Sequence, residues 1–248
     1  MSKKGIDIDS VSFSYRKGEQ QLAGITTKIS QGSFCGVTGK NGSGKSTFTL
    51  LLNGLIPQQI KGDFKGDAYV DGINTRSKPV AHFARSVGMV FQNPDFMLFN
   101  LTVKEELEFG LHNLHLDKIN KRISNALEMV GMAKYEKSDP QTLSLGQKQK
   151  ICLACVLAQD PEYIVLDEPT AMLDYTSSLH LYKILHQLNK KGKTIIIVEH
   201  DTDFLLQYAS HMIILAAGKI SLQGKAQAVF SKTLLLRQSG VKIPRPTV

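Results

Sequence analysis

Apolar positions in this 248-residue chain change their spacing along its length, and the changes mark out the elements. From Ile6 to Val11 and again from Gly24 to Val37, apolar residues alternate with polar ones and with Gly and Ser, which predicts short strands. Asp67 to Val70 repeats the pattern and ends at Asp71-Gly72, a turn signal. Phe48, Leu51, Leu52 and Leu55 then keep the i, i+3, i+4, i+7 spacing of an amphipathic helix that stops before Pro57. Ser86 to Phe91 reads as a buried strand.

The middle third is helical. Thr102 and Glu105 are spaced as a capping box, and Val103, Leu107, Leu111 and Leu114 form one stripe. Ile119, Ile123, Leu127 and Val130 form a second stripe, stopped by Gly131. Strand and helix signals alternate afterwards: Tyr163 to Leu166, a helix carrying Leu181, Ile184, Leu185 and Leu188, Thr194 to Val198, a helix from Asp201, and Met212 to Leu215. This order predicts an α/β fold with a mostly parallel sheet, a helical lobe inserted in it, and active loops at the C-terminal ends of the strands. Residues from about 225 onward read as a short helical appendage and a tail.

Composition narrows the class. The length suits one substantial core, or one core with a smaller lobe, and 42% hydrophobic with 21% charged residues is ordinary for a folded chain. The apolar runs Ile195 to Val198 and Met212 to Ala217 are strand-sized, well short of the eighteen or so residues that span a bilayer, and the residues after Met1 lack a signal-peptide pattern. A net charge of +8 is compatible with nucleic acid, an anionic membrane surface or polyphosphate, but the basic residues are scattered. Cys35, Cys152 and Cys155 are too few for a disulfide framework. Cys152 and Cys155 form a C-x-x-C within an apolar helical run, where small packing residues are expected rather than a redox or zinc site.

Chemistry enters at Gly39-Lys-Asn-Gly-Ser-Gly-Lys-Ser46, a complete G-x-x-x-x-G-K-S phosphate loop between a strand signal and a helix signal. Gly39, Lys40, Asn41, Gly42, Ser43, Gly44 and Thr47 are expected to surround phosphates with backbone N–H groups, Lys45 supplies a cation, and Ser46 a hydroxyl for Mg2+. Tyr163-Ile-Val-Leu-Asp167-Glu168 is an apolar strand ending in two carboxylates. Asp167 suits the hydrated metal, and Glu168 is placed to take a proton from an attacking water. Ser144 to Gln147 is spaced as a capping box, and the same helix start, with Ser144 and Gly146, is an anion site.

With these residues in place, the chain resembles an ATP-binding cassette (ABC) ATPase over nearly its whole length. The resemblance implies a phosphate-loop NTPase core, an antiparallel β subdomain and the helical lobe: a nucleotide-binding domain over 1–224, with core 1–92 and 158–224, lobe about 93–157, and an appendage over 225–248. Leu143 to Gln147 is similar to the Leu-Ser-Gly-Gly-Gln signature, which in that family touches the γ-phosphate held by the opposite subunit. Tyr15 is similar to the aromatic that stacks on adenine, Gln92 to the glutamine that reaches Mg2+ and the attacking water, Asp174 to a residue of the loop that crosses to the partner, and His200 to the switch histidine at the γ-phosphate. The expected partners are a second ATPase chain, identical or different, and membrane proteins, with no nucleic acid.

A narrower resemblance lies in Leu52-Asn-Gly-Leu-Ile-Pro57, Phe91-Gln-Asn-Pro-Asp95, Thr102-Val-Lys-Glu-Glu-Leu107, Ile197-Val-Glu-His-Asp201 and Ala228-Val-Phe230. These runs look like the ATPase subunit of energy-coupling factor transporters, which import vitamins and transition metal ions. It implies a peripheral position on the cytoplasmic face of the membrane, a transmembrane coupling protein and a separate substrate-binding membrane protein. In that resemblance Phe96, Met97, Leu98 and Phe99 form a partly exposed apolar contact for the coupling protein, with packing of the lobe as their other reading. The chain departs from the family at Leu145, where the signature has Gly, and at Met172 and Tyr175 in the crossing loop. Another ABC transporter, a DNA-repair-type ABC ATPase and a weakly hydrolysing regulatory subunit remain as alternatives.

Overall fold

A computed structural model describes residues 4–245; Met1 to Lys3 and the tail residues Pro246, Thr247 and Val248 lie outside the described residues. In chain order the first half comprises β1 (Gly5–Ser14), β2 (Gln20–Ser30), β3 (Phe34–Gly39), α1 (Lys45–Leu51), α2 (Leu55–Gln58), β4 (Asp63–Val70), β5 (Ile73–Asn74), α3 (Val80–Ala84) and β6 (Val87–Val90). The lobe contributes α4 (Val103–Asn113), α5 (Ile119–Met129) and α6 (Leu145–Gln159). The chain then returns through β7 (Tyr163–Asp167), α7 (Tyr175–Lys190), β8 (Thr194–Val198), α8 (Thr202–Tyr208), β9 (His211–Ala216), β10 (Lys219–Lys225), α9 (Ala226–Phe230) and α10 (Thr233–Gln238).

Two sheets organise these elements. The larger has order β10-β9-β3-β8-β7-β6, parallel from β9 to β6 with β10 antiparallel at its edge; the smaller is antiparallel, β2-β1-β4-β5. The parallel strands are uninterrupted apolar runs because both faces are covered. Side chains on successive residues point to opposite faces, so Ile195 and Ile197 join the core under α6, α7 and α8, while Ile196 and Val198 join the core under the small sheet and α1. The two sheets are tied where Tyr163 donates its hydroxyl to Asp71, whose carboxylate also accepts the N–H of Gly5.

Local chemistry accounts for where the structure departs from the periodicity. The strand signal over Gly24 to Val37 is two strands, split by a tight turn in which Gly32 adopts φ +75° and Ser33 N–H donates to Ser30 C=O. The helix after the phosphate loop ends at Leu51 instead of continuing to Ile56. Gly54 takes φ +77° there, and buried Asn53 accepts the N–H of Leu55, so that Leu55 leaves the stripe. Leu114 caps α4 and does not extend it. Both capping boxes form, Thr102 with Glu105 and Ser144 with Gln147. Strand β10 has no counterpart in the sequence reading. Residues beyond it are well packed: Ala226, Val229, Phe230, Leu236 and Val241 are buried in the core under α8. Leu98 is also buried, which removes it from the apolar contact surface expected at 96–99, whereas Phe96 and Phe99 are exposed.

Candidate nucleotide site

Strand register brings the chemistry to one edge. Val198 pairs with both Val37 and Asp167, and Leu166 with Val90, so the residues that follow β3, β6, β7 and β8 emerge side by side at the C-terminal edge of the sheet. There they line an open cleft of about 400 Å3 containing Asn41, Gly42, Gly44, Lys45, Ser46, Thr47, Gln92, Glu168 and His200, with Gln21 from β2.

The glycines of the loop are required by space. A Cβ on Gly39 would lie 2.1 Å from the Leu215 carbonyl oxygen, and one on Gly44, at φ +99°, 2.7 Å from that of Gln21. Lys45, at the first position of α1, is buried, and its ammonium donates to the carbonyls of Gly39 (3.1 Å) and Lys40 (3.2 Å). That curls the loop around the lysine, and Asn41, Gly42, Gly44 and the start of α1 line the cleft, an arrangement suited to phosphate.

Glu168 is the centre of a cluster. Gln92 Nε2 donates to its Oε2 (2.7 Å), His200 Nε2 lies 3.0 Å from Oε1, and Lys45 Nζ lies 3.7 Å from the same oxygen. The backbone of Glu168 is left-handed, φ +49°, and its N–H donates to Val198 C=O. Asp167 is buried; desolvation pushes its carboxyl above the usual range, while the Ser46 hydroxyl pulls it back. Its Oδ1 is buried and makes no hydrogen bond. An orphaned carboxylate oxygen beside a serine hydroxyl is a hard oxygen donor set, and it fits Mg2+. Among the described residues no cluster of three His, Cys, Asp or Glu could hold a metal by itself.

Glu199 escaped the sequence reading. Burial pushes its carboxyl up to about 7, against hydrogen bonds from Thr170 N–H (3.1 Å), Thr170 Oγ1 (2.6 Å) and His200 N–H (3.2 Å). It thus ties the loop after Glu168 to the turn that carries His200. The signal was its place between Val198 and His200, at an active strand end.

Other expected site residues lie elsewhere. Tyr15 does not line the cleft; it is 42% exposed and shares a hydrogen bond with Thr47 Oγ1 (3.1 Å) at the root of α1. Ser144, Gly146 and Gln147 occupy the start of α6, and Asp174 caps α7, accepting the Ser177 N–H at 2.6 Å. These residues form a second surface. A Cβ on Gly146 would sit 3.3 Å from Leu173 and from the Met172 carbonyl, and Leu145, Met172 and Tyr175 are all exposed. The C-x-x-C is inert by burial: the Cys152 thiol is pushed up to about 12, Cys155 well above its usual value, and all three cysteines are free.

Fold and cleft together define a phosphate-loop ATPase of the α/β class. The sequence profile of the ABC transporter family matches residues 22–171. Among relatives, the energy-coupling factor transporter ATP-binding protein EcfA of Methanocaldococcus jannaschii is 40% identical over 97% of this chain and 86% of its own. Pyrococcus proteins up to 45% identical carry only the general description of ABC transporter ATP-binding protein. Among solved structures, cbiO1 of Clostridium perfringens, part of the ABC transporter complex cbiONQ, superimposes with TM-score 0.80 at 32% identity, covering 94% of this chain and 93% of that one. A dimeric ATP-binding cassette in a post-hydrolysis state with ADP and Pi gives 0.80 at 27% identity, covering 89% and 98%. The chain belongs to the ABC transporter family, as an ATP-hydrolysing subunit.

Proposed function

We propose that this chain energises an uptake transporter of the energy-coupling factor type, carrying a vitamin or a transition metal ion, and that it works as half of an ATPase dimer on the cytoplasmic face of the membrane. The observation that carries the two-chain reading is the separation of two surfaces. The cleft holds Lys45, Gln92, Glu168 and His200, whereas Ser144, Gly146, Gln147 and Asp174 lie outside it. A second chain facing head-to-tail brings its own helix start to the open side of the triphosphate, where a positive dipole end stabilises the γ-phosphate. The EcfA and cbiO1 likenesses support the transporter type.

In this reading Glu168 is the general base, with Gln92 and His200 fixing the carboxylate toward the attacking water. Lys45 and His200 stabilise charge on the transferring phosphoryl group, and Gly39 to Thr47 bind the β- and γ-phosphates. Tyr15 offers its exposed ring to adenine. Ser46, Asp167 and Gln92 would hold Mg2+, which supplies charge neutralisation at the phosphates. No helix among the described residues is long and apolar enough to cross a membrane, so a membrane protein must supply the path. Phe96 and Leu101, each 80% exposed, and Phe99, 63% exposed, offer that protein an apolar contact on the segment just after Gln92.

Purification from native membranes tests the reading. The chain is expected with a transmembrane coupling protein and a solute-selecting membrane protein, and Phe96→Asp with Phe99→Asp is expected to release them while ATP binding persists. Recovery with DNA-processing partners and DNA-stimulated hydrolysis would favour the repair-type alternative instead.

A further inference from the structure

The turn that ends α10 lies against the phosphate loop. Helix α10 ends in a turn in which Gly240 adopts φ +66°, Gly240 N–H donates to Arg237 C=O and Val241 N–H to Leu236 C=O, while Leu236 and Val241 are both buried. That paired pattern, with its apolar contact, fixes where Gly240 sits. The side chain of Lys40 crosses it. A Cβ on Gly240 would lie 1.8 Å from Lys40 Cε and 2.6 Å from both Cδ and Cγ, so the whole stem, not only its tip, rests on the glycine.

Lys40 is well placed to pass this contact on. Its carbonyl accepts both the Lys45 ammonium (3.2 Å) and the Ser43 N–H (3.1 Å), and Ser43 C=O in turn accepts Gly218 N–H (3.2 Å) from the β9–β10 turn. The C-terminal segment is anchored independently. Ser239 Oγ bonds Ser221 Oγ (3.0 Å), Lys242 Nζ reaches Asp203 Oδ2 (2.8 Å) and Arg245 N–H reaches Asp203 Oδ1 (2.7 Å). Asp203 stands in the first turn of α8, the helix that follows His200. One segment therefore touches both the phosphate loop and the element behind the histidine turn.

We propose that Gly240 is a positioning residue of the ATP site: by seating the Lys40 stem it holds the phosphate loop in its phosphate-binding curl. The inference rests on ATP occupying the phosphate-loop cleft. Displacing the loop loosens phosphate contacts already made when ATP is bound, so it raises the ATP dissociation constant as well as KM.

The test is Gly240→Asn in the full chain. Asparagine tolerates the left-handed turn yet places a Cβ against the lysine stem, so strain at the turn and pressure on Lys40 are separated. With Lys40 present, Mg-ATP affinity by titration calorimetry is expected to fall by about tenfold, the scale of a modest misplacement of binding groups. In a Lys40→Ala background the same substitution is expected to change affinity by less than about twofold, since the stem is gone. Equal losses in both backgrounds, or no loss with Lys40 present, overturn the proposal. A measurement on the unaltered chain guards against a variant that does not fold. Coupling is reciprocal, so Mg-ATP must raise hydrogen-exchange protection at Gly240 and Val241 more than at Gly131 and Met132, which close a similar turn after α5. Equal change at both turns also overturns it. If the unaltered chain binds no Mg-ATP, the nucleotide reading itself fails; if it binds and Gly240→Asn is indifferent, only the role of Gly240 does.

Discussion

Replacing Glu168 with Gln isolates the step assigned to this residue. Glutamine keeps the shape and the surrounding bonds: its carbonyl oxygen accepts from Gln92 Nε2, and its amide donates to His200 Nε2 when that nitrogen is unprotonated. What disappears is the capacity to take a proton. A positioned general base contributes about 10² to 10⁴ in rate, so the barrier rises by about 3–5 kcal/mol. Affinity for ATP should not fall. Lys45 lies 3.7 Å from Glu168, and at an effective dielectric near 20 that attraction is on the order of 4 kcal/mol before solvation is counted. The carboxylate thus competes with phosphate for the lysine and repels the triphosphate directly; its neutralisation frees Lys45. The assay pairs steady-state phosphate release by the purified complex with equilibrium Mg-ATP binding. Turnover reduced by less than about tenfold would refute the base assignment. ATP binding weakened by more than about tenfold would refute the claim that the amide preserves the site.

Three further outcomes follow from the same geometry. Chelating divalent cations, or changing Asp167 to Ala, is expected to weaken ATP binding by at least about tenfold, read by titration; a site indifferent to both does not hold its metal at Asp167 and Ser46. The folded-state value of Glu199 is raised to about 7 from 4.5, so between those values the folded chain binds the extra proton and stability falls as pH rises, by on the order of 3 kcal/mol in all, levelling above pH 7; urea unfolding from pH 4.5 to 8 is expected to show this slope and Glu199→Gln to lose it, and parallel curves would count against the assignment. Leu145→Gly removes a 41%-exposed side chain from the start of α6 and is expected to raise turnover of the dimer several-fold, about 1 kcal/mol in the barrier, with unchanged phosphate release showing that Leu145 does not hinder the second surface.

The parts of the site legible in the sequence are those made by short contiguous segments. The phosphate loop was legible because eight adjacent positions and their flanking strand and helix are constrained by one ligand chemistry. Asp167 and Glu168 were legible because an apolar run buried on both sheet faces must end where its chemistry begins. What depended on distant partners was not. Glu199 sits one residue from a predicted site residue, but its role depends on Thr170, twenty-nine residues away. The break after α1 depends on Gly54 at φ +77° and on Asn53 accepting the Leu55 N–H, and the Asn53 amide is placed by the Met89 sulfur at 3.3 Å, thirty-six residues away. Leu98 looks no different from Phe96 in the sequence, yet Gln141 bonds its carbonyl and the lobe core closes over its side chain. The Lys40 stem on Gly240 joins positions two hundred residues apart.

The charges at the cleft also bear on how the nucleotide enters. The chain carries a net +8, but little of that excess reaches the strand ends. Here Lys45 faces Glu168, with Asp167 behind it, and Glu199 adds a third acid that is part-neutral near pH 7. Formal charge at the centre of the site is therefore not positive, and a bare triphosphate would meet carboxylates within reach of a single buried ammonium. Backbone N–H groups of the loop and the start of α1 offset part of the phosphate charge, but they provide dipoles rather than net charge. In the proposed reading the remaining neutralisation comes with the substrate, as the divalent cation of Mg-ATP, for which Asp167 keeps a buried oxygen without another bond. The same acids that make the site a poor host for free ATP are then the ones that bind its metal and deprotonate its water, so selectivity for the metal complex and competence for hydrolysis arise from one pair of residues at the end of β7.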